Sequence, residues 1–128
     1  MIIWISSYPK SGNTYLRSFL SSYYYSKDGK FDFNLLLNIN QFPALRYSDV
    51  KSYTYFEAAK NWIYNQKKFF TKEKLFFLKT HNSIQEYFGY RFTKSSETLG
   101  AIYIVRDPRN VISSMCNHYS MSLNETYN

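Results

Sequence analysis

The chain has 128 residues, 45% hydrophobic and 20% charged, which is the balance of a folded globular protein and excludes a disordered one. Its length allows one domain with a real core. Sixteen Lys and Arg against nine Asp and Glu leave a net charge of +7, so an anionic partner is favoured.

Cys116 is the only cysteine, which excludes an intrachain disulfide and a cysteine-built metal cluster. No stretch approaches the roughly 18 consecutive apolar residues of a membrane span. The N-terminal apolar run lacks a basic segment before it and a small-residue cleavage site after it. It therefore belongs to the fold and not to a signal peptide, and the chain reads as cytoplasmic. Aromatic residues reach 21%, with 14 Tyr and 11 Phe, which we ascribe to a bias toward Phe, Tyr, Lys and Asn. There is no run of five or six basic residues. The densest patch, Lys67-Lys68 to Lys72-Glu73-Lys74, reads as a solvated helix end and not as a nucleic-acid stripe.

Met1 to Ile5 is wholly apolar, the pattern of a central strand buried on both faces. Turn formers and a lysine follow from Ser6 to Thr14. From Tyr15 the apolar positions Tyr15, Leu16, Phe19, Leu20, Tyr23 and Tyr24 predict one buried helical stripe, with Gly29 as its left-handed terminator. A strand, a glycine-bearing loop and a helix aim unpaired backbone N–H groups and a partial positive charge at one point. Gly12 permits close approach, Lys10 adds a full charge, and Ser11 and Thr14 add hydroxyl donors. Such a loop is a phosphate or sulfate cradle, although an ordinary strand-to-helix turn with a surface lysine has the same outline. It departs from the G-x-x-x-x-G-K-[ST] loop of nucleotide triphosphatases, since here the lysine precedes a single glycine.

Phe31 to Ser52 reads as loop apart from a short helix near Phe33–Asn38. Tyr55 to Phe70 predicts a core helix with Phe56, Ala59, Trp62, Ile63, Gln66, Phe69 and Phe70 on one face. Leu75 to Leu78 is a second apolar strand, ending in Lys79-Thr80-His81-Asn82. Ligands of open parallel sheets bind beyond the carboxyl ends of the strands, which would put Lys79 and His81 on the rim that carries Lys10. Ser83 to Leu99 is irregular, with a surface turn at Gly89-Tyr90-Arg91. Ala101 to Val105 predicts a third buried strand. Asp107 then reads as an N-cap and Pro108 as the first helical residue, with Val111, Ile112, Met115, Cys116 and Tyr119 facing inward. Ser120 to Asn128 begins another helix or frays.

Three buried strands alternating with helices imply an α/β fold, a parallel sheet flanked by helices on both faces. A sheet that stopped at the third strand would leave an apolar edge uncovered, so residues 1–128 are expected to be the N-terminal portion of a single larger domain.

Three segments together carry a family resemblance. Tyr8-Pro9-Lys10-Ser11-Gly12-Asn13-Thr14-Tyr15 resembles the 5′-phosphosulfate loop of sulfotransferases, Y-P-K-[ST]-G-[TN]-T-W. Arg106-Asp107-Pro108-Arg109-Asn110-Val111-Ile112-Ser113-Ser114 resembles their 3′-phosphate segment, R-[DN]-P-x-[DN]-V-x-x-S. Lys79-Thr80-His81 is similar to the K-T-H of the cytosolic-type branch. The resemblance implies a three-layer sandwich of the P-loop nucleotide-binding type. It also implies sulfuryl transfer from 3′-phosphoadenosine 5′-phosphosulfate (PAPS) to an acceptor hydroxyl or amine on a small molecule or glycan, with no metal. It implies that His81 is the general base and that Lys10 and Lys79 assist catalysis. Lys10, Ser11, Gly12, Asn13 and Thr14 would hold the 5′-phosphate, Tyr15 the adenine, and Arg106 and Ser114 the 3′-phosphate. Tyr15 stands where the family has Trp, and the family's later R-K-G segment has no counterpart within residues 1–128.

Three other readings remain. A P-loop kinase would need a lysine after a second glycine and a carboxylate for Mg²⁺. A basic nucleic-acid-binding module would explain the charge, but no nucleic-acid signature is present, and neither nucleic acid nor membrane is expected as a partner. An inactive or incomplete fragment would keep the same motifs. Nothing in the loops at 26–54 and 82–98 specifies the acceptor, and the oligomeric state is open.

Overall fold

The structure, a computed structural model, describes residues 1–44, 54–70 and 75–127. Expectations for residues 45–52, for Lys72 to Lys74 and for Asn128 lie outside them. Its centre is β1 (Ile2–Ser7), flanked in parallel by β3 (Phe76–Thr80) and β6 (Thr98–Ile104), with the two-residue β2 (Asn40–Gln41) beyond β3. The order β2-β3-β1-β6 makes a four-stranded parallel sheet, with one strand more than the apolar runs indicate.

Alternation along β1 builds two cores. Ile2 and Trp4 face one side, where they join Leu78, Phe42, Phe92, Ala59 and Trp62. Ile3 and Ile5 face the other, with Phe77, Ile39, Leu16, Leu20 and Ile104. The first face is covered by two short helices, α2 (Tyr55–Lys60) and α3 (Trp62–Lys67), and by the segment around Phe92. The second is covered by α1 (Asn13–Tyr25) and by a 3₁₀ helix at Phe33–Asn38, where a short helix was expected. Helices on both faces of a parallel sheet are the three layers anticipated. Trp4 anchors the first core, with its ring 5.0 Å from Phe92 and its Nε1 donating to Thr98 Oγ1 at 3.1 Å. Gln66, fully buried on the inward face of α3, donates to Phe92 O and accepts from Thr93 Oγ1 at 2.8 Å.

Five expectations need correction. The aromatic stripe of α1 is not buried: Tyr15, Phe19 and Tyr23 are 82%, 64% and 74% exposed. The inward strip is Asn13, Leu16, Arg17, Leu20 and Ser21. Arg17 belongs to it because its guanidinium donates to Leu36 O and Ile39 O, tying α1 to the 3₁₀ helix. α1 ends at Ser26 in extended backbone, and Gly29 (φ +76°) serves the turn beyond it and not the helix end. The helix expected over 55–70 is broken at Asn61, whose side chain donates to Glu57 O at 2.9 Å and whose backbone leaves helical geometry. Residues 86–91 form a small hairpin of β4 (Glu86–Tyr87) and β5 (Tyr90–Arg91), turned by Phe88 and Gly89 at positive φ. Finally, the third strand is not buried: Tyr103 in β6 is 66% and Val105 just past it 76% exposed, because among the described residues β6 pairs with β1 alone.

After β6, Asp107 caps α4 (Pro108–Tyr119) by accepting from the Arg109 N–H at 2.9 Å, with Pro108 in the first turn as read from the sequence. Val111 is the buried residue of this helix, while Tyr119 is exposed. The five-residue α5 (Leu123–Tyr127) packs back on α4, with Cys116 Sγ 3.2 Å from Thr126 Oγ1.

Candidate active site

The carboxyl ends of β1, β3 and β6 open into one cavity of about 540 Å³, within the usual range for small-molecule sites. It is lined by Pro9, Lys10, Gly12, Asn13 and Thr14 from the loop after β1, and by Lys79 and His81 from the end of β3. Arg106, Ser114, His118 and Tyr119 complete it from the segment after β6. Three motifs far apart in the chain thus meet in one place, as the strand-end argument requires.

The loop owes its shape to two left-handed residues. Lys10 has φ +64° and Gly12 φ +102°, and a side chain on Gly12 would be strained although the space around it is open. The open space above Gly12 is what a phosphate approaching the helix needs. The Ser11 N–H bonds to Tyr8 O at 3.3 Å, so the anion-facing N–H groups are those of the first turn of α1. Ser11 itself is buried and lines a neighbouring apolar hollow of about 440 Å³ beneath Tyr103, Val111 and Met115. Tyr15 points away from the cavity too, into a shallow surface hollow with Phe19, Tyr23 and Phe31. Of the residues singled out in the sequence, these two are not brought to the cavity wall.

His81 is held by its Nδ1, which lies 2.7 Å from Ser7 O and 3.4 Å from Ser7 Oγ. A carbonyl oxygen can only accept, so Nδ1 carries the hydrogen and the neutral ring keeps Nε2 as its bare base. Ser7 is fixed in turn, since buried Asn13 donates from Nδ2 to both Ser7 Oγ and Ile5 O at 3.1 Å. Burial pulls the His81 pKa below its ordinary value, the Ser7 carbonyl opposes this and the charge of Lys79 adds to it. The Lys79 pKa is lowered as well, first by burial and then by the neighbouring Arg17. Its Nζ donates to Gln41 Oε1 at 3.1 Å.

Arg106 closes the opposite side by donating to Lys10 O at 3.0 Å, which joins the β6 end to the cradle. Among the described residues, the Lys10 ammonium and the hydroxyls of Thr14 and Ser114 have no side-chain partner in the protein. Among the described residues no carboxylate lines the cavity. Sequence reasoning missed Ser7, Gln41, His118 and Tyr119. His118 had a signal in its position four residues after Ser114, on the same helical face, whereas Gln41 had none.

A parallel α/β sheet whose strand ends converge on a cavity lined by Lys10, Lys79 and Arg106 has the layout of an anion-binding site. The family model for the sulfotransferase domain matches residues 2–127, and the chain belongs to the sulfotransferase family. That family implies PAPS as co-substrate. No curated protein matches the sequence. No helix among the described residues is long and apolar enough to cross a membrane.

Proposed function

We infer that this chain transfers a sulfuryl group from PAPS to a hydroxyl or amine of a small molecule or glycan. The observation that carries this reading is a bare imidazole nitrogen in a cavity lined, among the described residues, by cations and unpartnered donors and by no carboxylate. Such a lining suits a substrate bearing phosphate at one end and phosphosulfate at the other.

In this reading the first-turn N–H groups of α1, with Gly12, Asn13, Thr14 and Lys10, hold the 5′-phosphosulfate. Arg106 and Ser114 hold the 3′-phosphate through charge-assisted and hydroxyl bonds. The Nε2 of His81 takes the proton of the acceptor O–H or N–H as that atom bonds to sulfur. The bond from sulfur to the bridging oxygen breaks, and adenosine 3′,5′-bisphosphate leaves. Lys10 stabilises the charge that develops on the bridging oxygen, and Lys79 the sulfuryl oxygens. The lowered His81 pKa keeps the base in its neutral form at pH 7, burial acting first and the charge of Lys79 in the same direction.

Transfer of labelled sulfuryl to phenols, alcohols, sugars and amines tests the reading. Label on an acceptor of one of these classes is expected. Absence of transfer to all of them, beside salt-dependent oligonucleotide binding, would favour a nucleic-acid-binding module instead.

A further inference from the structure

The second histidine of the chain, His118, lies one helical turn beyond Ser114 on α4, and both line the cavity that Arg106 closes. Residues four apart share a helix face. A helical side chain also leans back over the turn before its own. The His118 imidazole is thereby biased toward Ser114 and, beyond it, toward Arg106 at the start of the helix. Its ring packs edge-on against Tyr119, with centroids 4.8 Å apart and planes at 77°. Among the described residues no hydrogen bond or ion pair engages either of its ring nitrogens, in contrast to His81, whose Nδ1 is held by Ser7 O.

Around this end of the cavity stand three groups able to donate. Arg106 has five N–H donors, of which one bonds to Lys10 O. Ser114 contributes a hydroxyl without a side-chain partner, and His118 a ring N–H. A terminal phosphate presents three oxygens and accepts from several donors at once. Among the described residues the lining has no acidic group that would compete for these donors.

We propose that His118 is the third arm of the 3′-phosphate site, donating a ring N–H to the phosphate that Arg106 and Ser114 hold. This rests on the nucleotide reading above. On this assignment His118 acts on ligands that carry a 3′-phosphate and is indifferent to those that lack one. The backward lean of the side chain favours this place over one facing the acceptor, which must reach His81 on the opposite wall.

The test is titration of the whole chain with adenosine 3′,5′-bisphosphate and with adenosine 5′-phosphate, for the wild type, His118→Ala and His118→Gln. His118 is exposed, so the variants should melt at the wild-type temperature without ligand, and that is checked first. His118→Ala should weaken bisphosphate binding roughly three- to tenfold and leave the monophosphate unchanged. His118→Gln, which keeps an N–H donor of similar reach, should recover most of the loss. A wild type that prefers the bisphosphate, with a His118→Ala variant that prefers it equally, overturns the proposal and leaves the nucleotide site standing. An unchanged bisphosphate affinity with a raised acceptor KM would also overturn it, by assigning His118 to the acceptor. A wild type with no preference between the two nucleotides would overturn the nucleotide reading together with this one.

Discussion

The two walls of the cavity are built differently. On the β1–β3 wall His81 and Lys79 are held by neighbours: Asn13 fixes Ser7, Ser7 fixes His81, and Gln41 engages Lys79. On the β6–α4 wall, among the described residues, the strand is an exposed edge, Ser114 and His118 have no side-chain hydrogen bond, and Arg106 has one contact to a backbone oxygen. A base must be aimed before its substrate arrives, so its support is built into the fold. A phosphate site can leave its donors unpaired because the ligand satisfies them. On the proposed function, chemistry would belong to the first, rigid wall and selection of the nucleotide to the second, open one.

Lys10 stands between the walls, and its loss should have the largest effect. Lys10→Met is expected to lower turnover roughly 10²–10³-fold in a steady-state transfer assay, because charge on the leaving oxygen would go unopposed. A loss confined to substrate affinity would move Lys10 out of the chemical step.

Arg106→Ala should break the open wall alone. Adenosine 3′,5′-bisphosphate ought to raise the melting temperature of the wild type more than adenosine 5′-phosphate does, and the variant should lose that preference. A charge-assisted pair is worth about 1.5–3 kcal/mol. Equal shifts from both nucleotides on the wild type would dissolve the two-ended site.

Asn13→Ala tests the rigid wall through stability. It leaves Ile5 O and Ser7 Oγ without their buried donor, at a cost of about 1–3 kcal/mol in urea unfolding. A variant as stable as the wild type would mean that the wall is not held in this way.

The smallest effect concerns pH. The His81 pKa is depressed in the folded chain, so below its ordinary value of about 6.5 the unfolded chain binds the proton first. Its contribution to stability is thus fully present above about pH 6.5 and is lost as pH falls through the lower, folded value. His81→Asn should make the decline in melting temperature over that acidic window shallower. An identical decline in both proteins would show that the ring is not desolvated.

Much of the rigid wall was legible in the sequence, because continuous apolar runs identify β1 and β3 and the polar residues just past a strand must lie at its end. The motif after β6 was legible for the same reason, through the Asp107-Pro108 helix start. What was hidden depends on partners distant in the chain. β2 has two polar residues and exists only through its register with Leu78 and Lys79, so no periodicity could reveal Gln41. The outward tyrosines of α1 were mistaken for core because the apolar label does not distinguish a ring that packs from one that faces water. The strip that packs contains Arg17, whose place is decided by two carbonyls of the 3₁₀ helix. The break at Asn61 was invisible because Ala59, Trp62 and Gln66 remain inward on either side of it.

The rigid wall stands or falls with His81. Turnover of wild type and His81→Ala at pH 7 should be compared after both are shown to bind adenosine 3′,5′-bisphosphate equally well. A fall of roughly 10²–10⁴-fold in sulfuryl transfer with unchanged nucleotide affinity is predicted. A His81→Ala protein that transfers sulfuryl at the wild-type rate, with the same pH–rate profile, would remove His81 from the mechanism.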